Sequence, residues 1–528
     1  MVRYHTARSF FVSEIPRCTI FSHIANLYRK VLGKEETPAT PQTTQANTPA
    51  AKPKRQPRAT APQVTKVALA ADSPRRILTR DQHSISRSMI SENALKVLYR
   101  LHKAGYQGYL VGGGVRDILL GKIPKDFDVV TDAHPEQIRK LFNNCRLIGR
   151  RFRLAHIVFG RDIIEVATFR GHHHQVNTSK NIAEQSEEGM LLRDNVYGTI
   201  EEDAERRDFT VNALYYNIKD FSLHDFHGGL NDLAAGKLEL IGDPETRYRE
   251  DPVRMLRAIR FAAKLGLTIS ERSAEPISRL APLLQDIPSA RLFEETIKLF
   301  LAGHALSTYH LLRKFGLFQQ LFPQAGKLLT PEGNSAYERF LEKALAGSDK
   351  RVAADQPVTP TFFYATLLWG VVALRQREIS NESNLPFQDA MQMAMNEAIE
   401  QQIHTVAIPR RFTSDVREIW LLQERLPRYS GKRAEKLFAQ PKFRAAFDFL
   451  ELRAQVEPRF RDVVAWWQDY QQTHEFIRPE HTHTPRPAAP TASAAVSSER
   501  PQSEEHAARK RPRRRRRYPQ QAGQRNHD

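Results

Sequence analysis

Three consecutive glycines, Gly112 to Gly114, stand in the stretch "YLVGGGVRDILLGKIPKDFDVVT", residues 109 to 131, between an apolar β-like run and a helix-like one. About a dozen residues on, a second short apolar run contains Asp126 and Asp128. The runs are too short for anything but strands, and glycine takes a left-handed turn at no steric cost, so the chain here should run strand, tight turn, short helix, returning strand. Residues two apart on a strand share a face. Asp126 and Asp128 are therefore expected together on one side, with Phe127 and Val129 packed on the other. Such a pair supplies the hard oxygen ligands that magnesium takes alongside substrate phosphates. An isolated D-x-D is more often the mark of a solvated strand; the glycine turn, whose backbone amides can face a triphosphate, is what directs it to phosphate chemistry. The dinucleotide pattern G-x-G-x-x-G fails because Asp117 stands where its last glycine belongs, and no Walker G-K-[ST] is present.

Around this unit, from Tyr106 to about Phe226, short β-like runs ("YLVG", "FDVV", "AHIVFG", "DIIEVATF") alternate with at least one helix, "PEQIRKLF". Ser91 is the expected N-cap of a preceding helix that carries Ala94, Leu98 and Leu101 on one face and stops at Gly105. Beyond Asp243 the pattern turns helical and stays so to about Gln472; in "EDPVRMLRAIRFAAKLGL", Val253, Leu256, Ile259 and Ala263 fall at helical spacing. The fold class expected is α+β: an α/β head with a mixed sheet, then all-α neck and body domains and a disordered basic tail. The boundaries read from the chain are an N-terminal segment 1–36 with a short amphipathic helix (Ile24, Leu27 and Val31 on one side), a linker 37–88, a head 89–228, a neck 229–335, a body 336–476 and a tail 477–528.

With 528 residues, of which 41% are hydrophobic, the chain can build real cores, which excludes a fibrous or wholly disordered protein. A net charge of +19 calls for a polyanionic partner, nucleic acid first. Only Cys18 and Cys145 occur, which fits a reducing compartment, and the cytoplasm is the expected location. No apolar run is long enough to span a bilayer, although the 20–32 helix leaves contact with a membrane surface open. Glu14 and Pro16 interrupt the apolar start and argue against a secretory signal; an organellar transit peptide and a later translation start stay open.

Two-metal phosphoryl or nucleotidyl transfer calls for a third carboxylate. Glu165, between Ile164 and Val166, can join the aspartate face while its neighbours face the core; Asp208, behind Arg206 and Arg207, competes with it. Both alternatives stand at this point. Taken in order and spacing, "LVGGGVRDILLGKIPKDFDVVT", "IIEVATFRG", "RRDFTVNALYY" and "YREDPVRMLRAIRFAAKLG" resemble the class II nucleotidyltransferases of the polymerase β superfamily over roughly residues 90 to 330. That family contains bacterial poly(A) polymerases and CCA-adding enzymes. "CRLIGRRFRLAHIVFG", "VYGTIEEDAERRDFTVNALYY" and an arginine-rich C-terminal extension are similar to the poly(A) polymerases in particular.

The resemblance implies a template-independent transfer of AMP from ATP to the 3′ ends of RNA, mRNA and small RNA, with two Mg²⁺ ions. It implies metal ligation by Asp126, Asp128 and Glu165, and catalytic roles for Asp126, Asp128 and Asp208. Nucleotide contacts are implied for Gly112, Gly113, Arg116, Arg207, Asn212, Glu250, Asp251, Arg254 and Arg257. Among these Glu250 orients, while Asp251 and Arg254, a carboxylate and a guanidinium one helical turn apart, can present acceptor and donors to one planar base. RNA contacts fall to Arg260 and Lys264 and to Arg511, Arg513, Arg514, Arg515, Arg516 and Arg517 of the tail, as phosphate contacts that do not read bases. A monomer is expected, with RNA-decay proteins as further partners.

The runner-up is a CCA-adding enzyme, since the base-facing residues serve both; a non-catalytic RNA-binding protein is the alternative of another class. The adjacent histidines of "GHHHQVN" lack partners at metal spacing and read as a loop, while Trp466 and Trp467 read as packing residues that could otherwise stack on bases.

Overall fold

Leu110, Val129, Val166 and Leu214 are buried together on one face of a mixed sheet that forms the N-terminal part of the computed structural model. The structure describes residues 75–149, 153–171, 183–185, 191–194, 196–330, 333 and 335–474. The expectations for the N-terminal segment and most of the linker, for the three histidines 172–174 and for the tail with its arginines 511–517 lie outside the described residues.

In chain order the strands are β1 (Arg76–Leu78), β2 (Gly108–Val111), β3 (Asp128–Thr131), β4 (Cys145–Ile148), β5 (Leu154–Phe159), β6 (Asp162–Thr168), the separate pair β7 (Ala183–Gln185) and β8 (Leu191–Asp194), then β9 (Leu214–Asn217) and β10 (Leu223–Asp225). The main sheet has eight strands in the order β1-β10-β9-β2-β3-β6-β5-β4. All neighbours are antiparallel except β3 and β6. One face is covered by α1 (Glu92–Lys103), α2 (Gly113–Leu119) and α3 (Pro135–Leu141), whose Val97, Leu101, Val115 and Ile138 are buried against it. Ser91 caps α1 as expected, its hydroxyl accepting from the Ala94 N–H at 3.1 Å, and Gly105 follows the helix with φ +86°. The other face carries Tyr109, Val111, Val130 and Tyr215 and packs against α4 (Ile200–Glu205).

Helices follow the sheet. The site draws on α5 (Pro244–Glu250), α6 (Val253–Leu265) and α7 (Ser289–Phe300); further on come α8 (Ala336–Ala353), α9 (Pro360–Ser383), α10 (Phe387–Thr405), α11 (Arg410–Arg425), α12 (Lys432–Phe438), α13 (Phe443–Ala454) and α14 (Arg461–Thr473). A single hydrophobic core runs through them from Phe209 to Trp467. The expected α+β class with a helical C-terminal part is what the chain forms. No helix among the described residues is long and apolar enough to cross a membrane.

The D-x-D strand is shorter than the alternation suggests. β3 begins at Asp128, which pairs with Val111, and Asp126 lies in the loop before it. The reason is local: β2 ends where Gly112 takes φ +73° and turns into α2, so residues ahead of Asp128 have no ladder partner on that side.

Candidate active site

Asp128 is flanked by β2 and β6 at the mouth of the sheet. Its parallel register partner is Glu165, so two carboxylates stand side by side on adjacent strands. Ile164 and Val166 are buried while Glu165 is exposed, as its place between them requires. His156, opposite Glu165 on β5, brings Nε2 to 3.2 Å from its Oε1. Phe127 and Val129 are buried in the core of the opposite face.

Like charges and burial show in the acidities. The Asp128 carboxyl is pushed up to about 6, first by burial and then by Glu165 and Asp126, against the pull of Arg207 and Arg257. Asp126 is raised too, by burial and then by Glu165. Three carboxylates that repel one another are stabilised by a cation bound among them. Among the described residues no three His, Cys, Asp or Glu form a group that could hold a metal alone. Magnesium does not need such a cage, since it keeps water and takes the substrate's phosphates with one or two carboxylates; the donor set fits that ion.

A cleft of about 350 Å³ opens beside Asp128 and Glu165. Its far wall is cationic: Arg170, Arg206, Arg207, Arg254, Arg257 and Arg291 all line it. Several of these guanidiniums are held from behind. Arg207 Nε donates to Asp203 Oδ2 at 3.1 Å and to the Tyr215 hydroxyl at 2.6 Å, and that hydroxyl donates to the same Asp203 oxygen at 2.7 Å. Arg291 grips Asp251 through two bonds of 2.9 and 2.8 Å. Arg254 Nη1 donates to Glu250 at 2.8 Å; Glu250 also accepts from Arg247 at 2.6 Å, and Arg247 donates to the carbonyls of Arg206 and Arg207.

Asp208 is bound differently from Asp128. Its Oδ2 accepts two bonds from Arg257, at 2.8 and 2.5 Å, and its Oδ1 accepts from Asn212 Nδ2 at 3.0 Å and the Phe209 N–H at 2.8 Å. Despite burial, Arg257 first and then Asn212 hold it well below the usual carboxylate range. Asn212 in turn accepts from Arg116, only 2% exposed, at 2.5 Å, and Arg116 also binds Asp117. Arg116, Arg257 and Arg260 all lie over the ring of Phe261, at 5.3, 5.2 and 4.6 Å.

Of the residues expected at the site, Asp128, Glu165, Arg207, Asp208, Asp251, Arg254 and Arg257 therefore line the cleft. Asp126, Gly112, Gly113, Arg116, Asn212, Glu250, Arg260 and Lys264 do not; Asn212 and Glu250 hydrogen-bond lining residues, and Arg116 reaches Asp208 through Asn212. Sequence reasoning missed Asp203, Tyr215, Arg291 and Glu295. Asp203 could have been found, because it precedes Arg207 by four residues across the end of α4; Arg291 has no local signal, standing 40 residues from Asp251.

Gly112 has a defined duty. A Cβ on it would lie 3.7 Å from Asp128 Oδ2 and 3.8 Å from Arg207 Nη1, between acid and guanidinium, and its φ of +73° with ψ of −137° is glycine territory. Gly112→Ala is expected to lower stability by about 1–3 kcal/mol, read as a drop in thermal midpoint; an unchanged midpoint would show that the turn relaxes freely.

Carboxylates on one wall and anchored guanidiniums on the other suit a substrate that brings phosphates and a divalent ion together, which places the protein among the nucleotidyltransferases. Residues 108–239 match the family described as "Poly A polymerase head domain", 266–329 "Probable RNA and SrmB- binding site of polymerase A", and 383–518 "Polymerase A arginine-rich C-terminus". Poly(A) polymerase I of Salmonella typhimurium is 52% identical over 454 residues, 86% of this chain and 92% of that one. The chain belongs to the poly(A) polymerase family. A CC-adding tRNA nucleotidyltransferase of Halalkalibacterium halodurans is 35% identical over 43% of this chain and 54% of its own. Among solved structures, a "tRNA-processing enzyme (apo form I)" superposes with a TM-score of 0.52 at 21% identity, covering 74% of this chain and 94% of that one, a likeness of fold alone.

Proposed function

We propose that this chain adds AMP from ATP to the 3′ ends of RNA without a template, releasing pyrophosphate. The observation that carries the chemistry is the pairing of Asp128 with Glu165 at the edge of a cleft walled by arginines; the 52% identity to a poly(A) polymerase over most of the chain favours ATP over the CTP of the CCA-adding alternative. In the reaction the RNA 3′-oxygen bonds to the α-phosphorus, the bond to the bridging oxygen breaks, pyrophosphate leaves with the electron pair, and the hydroxyl proton passes to water. Magnesium held by Asp126, Asp128 and Glu165 would lower the pKa of the attacking hydroxyl and neutralise charge on the leaving group.

The chain's own residues do the rest. Arg207, fixed by Asp203 and Tyr215, offers its remaining nitrogen beside Asp128 to the triphosphate. Arg257 is anchored by Asp208, and through Asn212 this anchor reaches Arg116, so that Asp208 is a positioning residue and Glu165 the third carboxylate. Arg254 and Asp251 present donors and acceptors to the base. Arg260 and Lys264 track the RNA backbone. The compartment is the cytoplasm, where ATP and RNA ends meet. Offering each nucleoside triphosphate separately with a labelled oligoribonucleotide tests the reading: long tails with ATP alone support it, and CTP incorporation or no addition overturns it.

The arginine run "RKRPRRRRRY" at 509–518 should act through phosphates. Log affinity for single strands falls by about 0.7 per log unit of salt for each phosphate neutralised. Deleting residues 500–528 is expected to weaken RNA binding at low salt and flatten that slope while sparing ATP affinity. Parallel lines for the two proteins would show that the tail does not touch RNA.

A further inference from the structure

The adjacent tryptophans near the C-terminal end of the described chain have different fates. Trp467 is fully buried and its Nε1 donates to the Leu426 carbonyl at 2.9 Å, a packing role as the sequence suggested. Trp466 is half-buried and stands inside a column of rings. Tyr429 stacks on it at 4.3 Å and 25°, Tyr470 stacks on its other side at 5.0 Å and 22°, and His474 stacks on Tyr470 at 3.9 Å and 11°. Trp466, Tyr470 and His474 are four residues apart and so share one face of α14 and its end, while Tyr429 comes from the connection between α11 and α12.

Core packing accounts for only part of this column: Tyr429, Trp466 and Tyr470 lie against the helical core and its buried Trp467, as packing residues do. Tyr429, Trp466 and Tyr470 are half-buried and His474 is exposed, so the stack runs along the surface and ends in solvent. Neither the Trp466 indole N–H nor the hydroxyls of Tyr429 and Tyr470 have a protein partner among the described residues. The flanking charge is net positive. Arg425, Arg428, Lys432, Arg433 and Lys436 are all exposed and none forms an ion pair among the described residues; the acids nearby are Glu435, Glu424 beside Arg428, and Asp462 and Asp469 on α14, so cations outnumber acids by five to four. α12 lies against the column, since Phe438 meets Tyr470 edge-on at 5.6 Å, and it brings the acid Glu435 near Tyr470 while Lys432, Arg433 and Lys436 are exposed on the same helix. Flat π-faces interleaved with free cations are the two elements with which proteins hold single-stranded nucleic acid: bases stack and phosphates are neutralised. An acidic protein would satisfy the cations but leave the ring faces unused.

We propose that this surface is a docking platform for single-stranded RNA, on which a base continues the column at the outer face of His474 or Tyr429 while the backbone follows the 425–436 cations. The inference rests on RNA being the substrate, and it adds a holding site outside the catalytic cleft. Stacking strength orders the bases, so adenine binds more tightly than uracil and a newly made adenylate tail is the preferred occupant.

The test uses the full chain in wild-type form, as the double variant Tyr429→Leu/His474→Ala, and as Trp466→Phe, with oligoadenylate and oligouridylate as probes. Trp420 and Trp467 are buried and Trp369 lies under Arg453, so Trp466, one ring in from the outer face of Tyr429, is the tryptophan nearest a docked base. Oligoadenylate is expected to quench wild-type tryptophan fluorescence. Trp466→Phe should still bind but lose most of the quench, and the double variant should bind oligoadenylate about tenfold more weakly with an unchanged KM for ATP and kcat at saturating primer. A quench that survives in Trp466→Phe, or a double variant that binds as tightly as wild type, overturns the platform while leaving extension by ATP intact. Wild-type protein that neither binds nor extends RNA overturns the functional reading, and the platform with it.

Discussion

Replacing Asp128 by asparagine is expected to cost nucleotide addition about a thousandfold or more, the several kcal/mol that metal-held charge neutralisation contributes, and at the same time to make the metal-free protein more stable. The two effects share one cause. In the folded chain, burial and Glu165 push the Asp128 carboxyl from 3.8 up to about 6. Holding it ionised at neutral pH therefore costs on the order of 3 kcal/mol. The sign follows from the direction of the shift: below pH 3.8 the acid is protonated in both states and costs nothing, the cost grows between 3.8 and about 6, and it is complete above that. The stability gain of Asp128→Asn should thus be absent near pH 4, full at pH 7.5, and smaller when magnesium is added, because the ion relieves the same repulsion in wild type. RNA affinity should stay within about a few-fold, since no phosphate-binding cation is lost. Thermal unfolding against pH, with and without magnesium, alongside turnover, checks all of this; a variant no more stable than wild type at neutral pH would mean the three carboxylates do not repel as their positions imply.

Glu165→Gln and Asp208→Asn should both cut turnover strongly, yet for separable reasons. On the proposed reading Glu165 is a metal ligand, so higher magnesium should restore part of the activity, and its solvent-exposed side chain means that stability hardly changes. Asp208 holds Arg257 through two bonds, with the Arg257 side chain 33% exposed, so Asp208→Asn should destabilise by roughly 2 kcal/mol, below the full cost of breaking a buried pair. Magnesium should not rescue it. The Asp208 carboxyl is held below its usual value of 3.8, so the stability it contributes is present above that pH and is lost only as pH falls below it. Losses that are equal and insensitive to magnesium in both variants would remove Glu165 from its place as the third carboxylate.

The alternation of the sheet was legible because it is local. A buried face under α1–α3 demands Phe127, Val129, Ile164 and Val166, and that demand alone turns Asp128 and Glu165 to the other side. The end of a strand is less legible. Nothing near Asp126 says that β3 has not yet begun; that depends on where β2 leaves the ladder. Arg116 shows the same limit for a side chain. Beside three glycines it reads as a phosphate contact, and only the arrival of Asn212, 96 residues later, turns it into a buried strut.

What the sequence determined by itself is what short-range chemistry determines: the glycine turn, the capped helix after Ser91, the acid face of the sheet, the basic balance of the chain and the order of motifs that marks it as a nucleotidyltransferase. The tertiary structure decided which carboxylate is free and which is spent. Asp128, Glu165 and Asp208 are all acids next to arginines or on strands, yet Asp128 faces a second carboxylate while Asp208 meets Arg257, 49 residues away, and is neutralised. It also decided that Arg291 closes on Asp251 and that Tyr429 completes the stack begun by Trp466. The physical reason is the same in each case: a residue's chemistry is set by the charge and burial within a few ångströms, and the groups that supply them come from distant parts of the chain that only packing brings together.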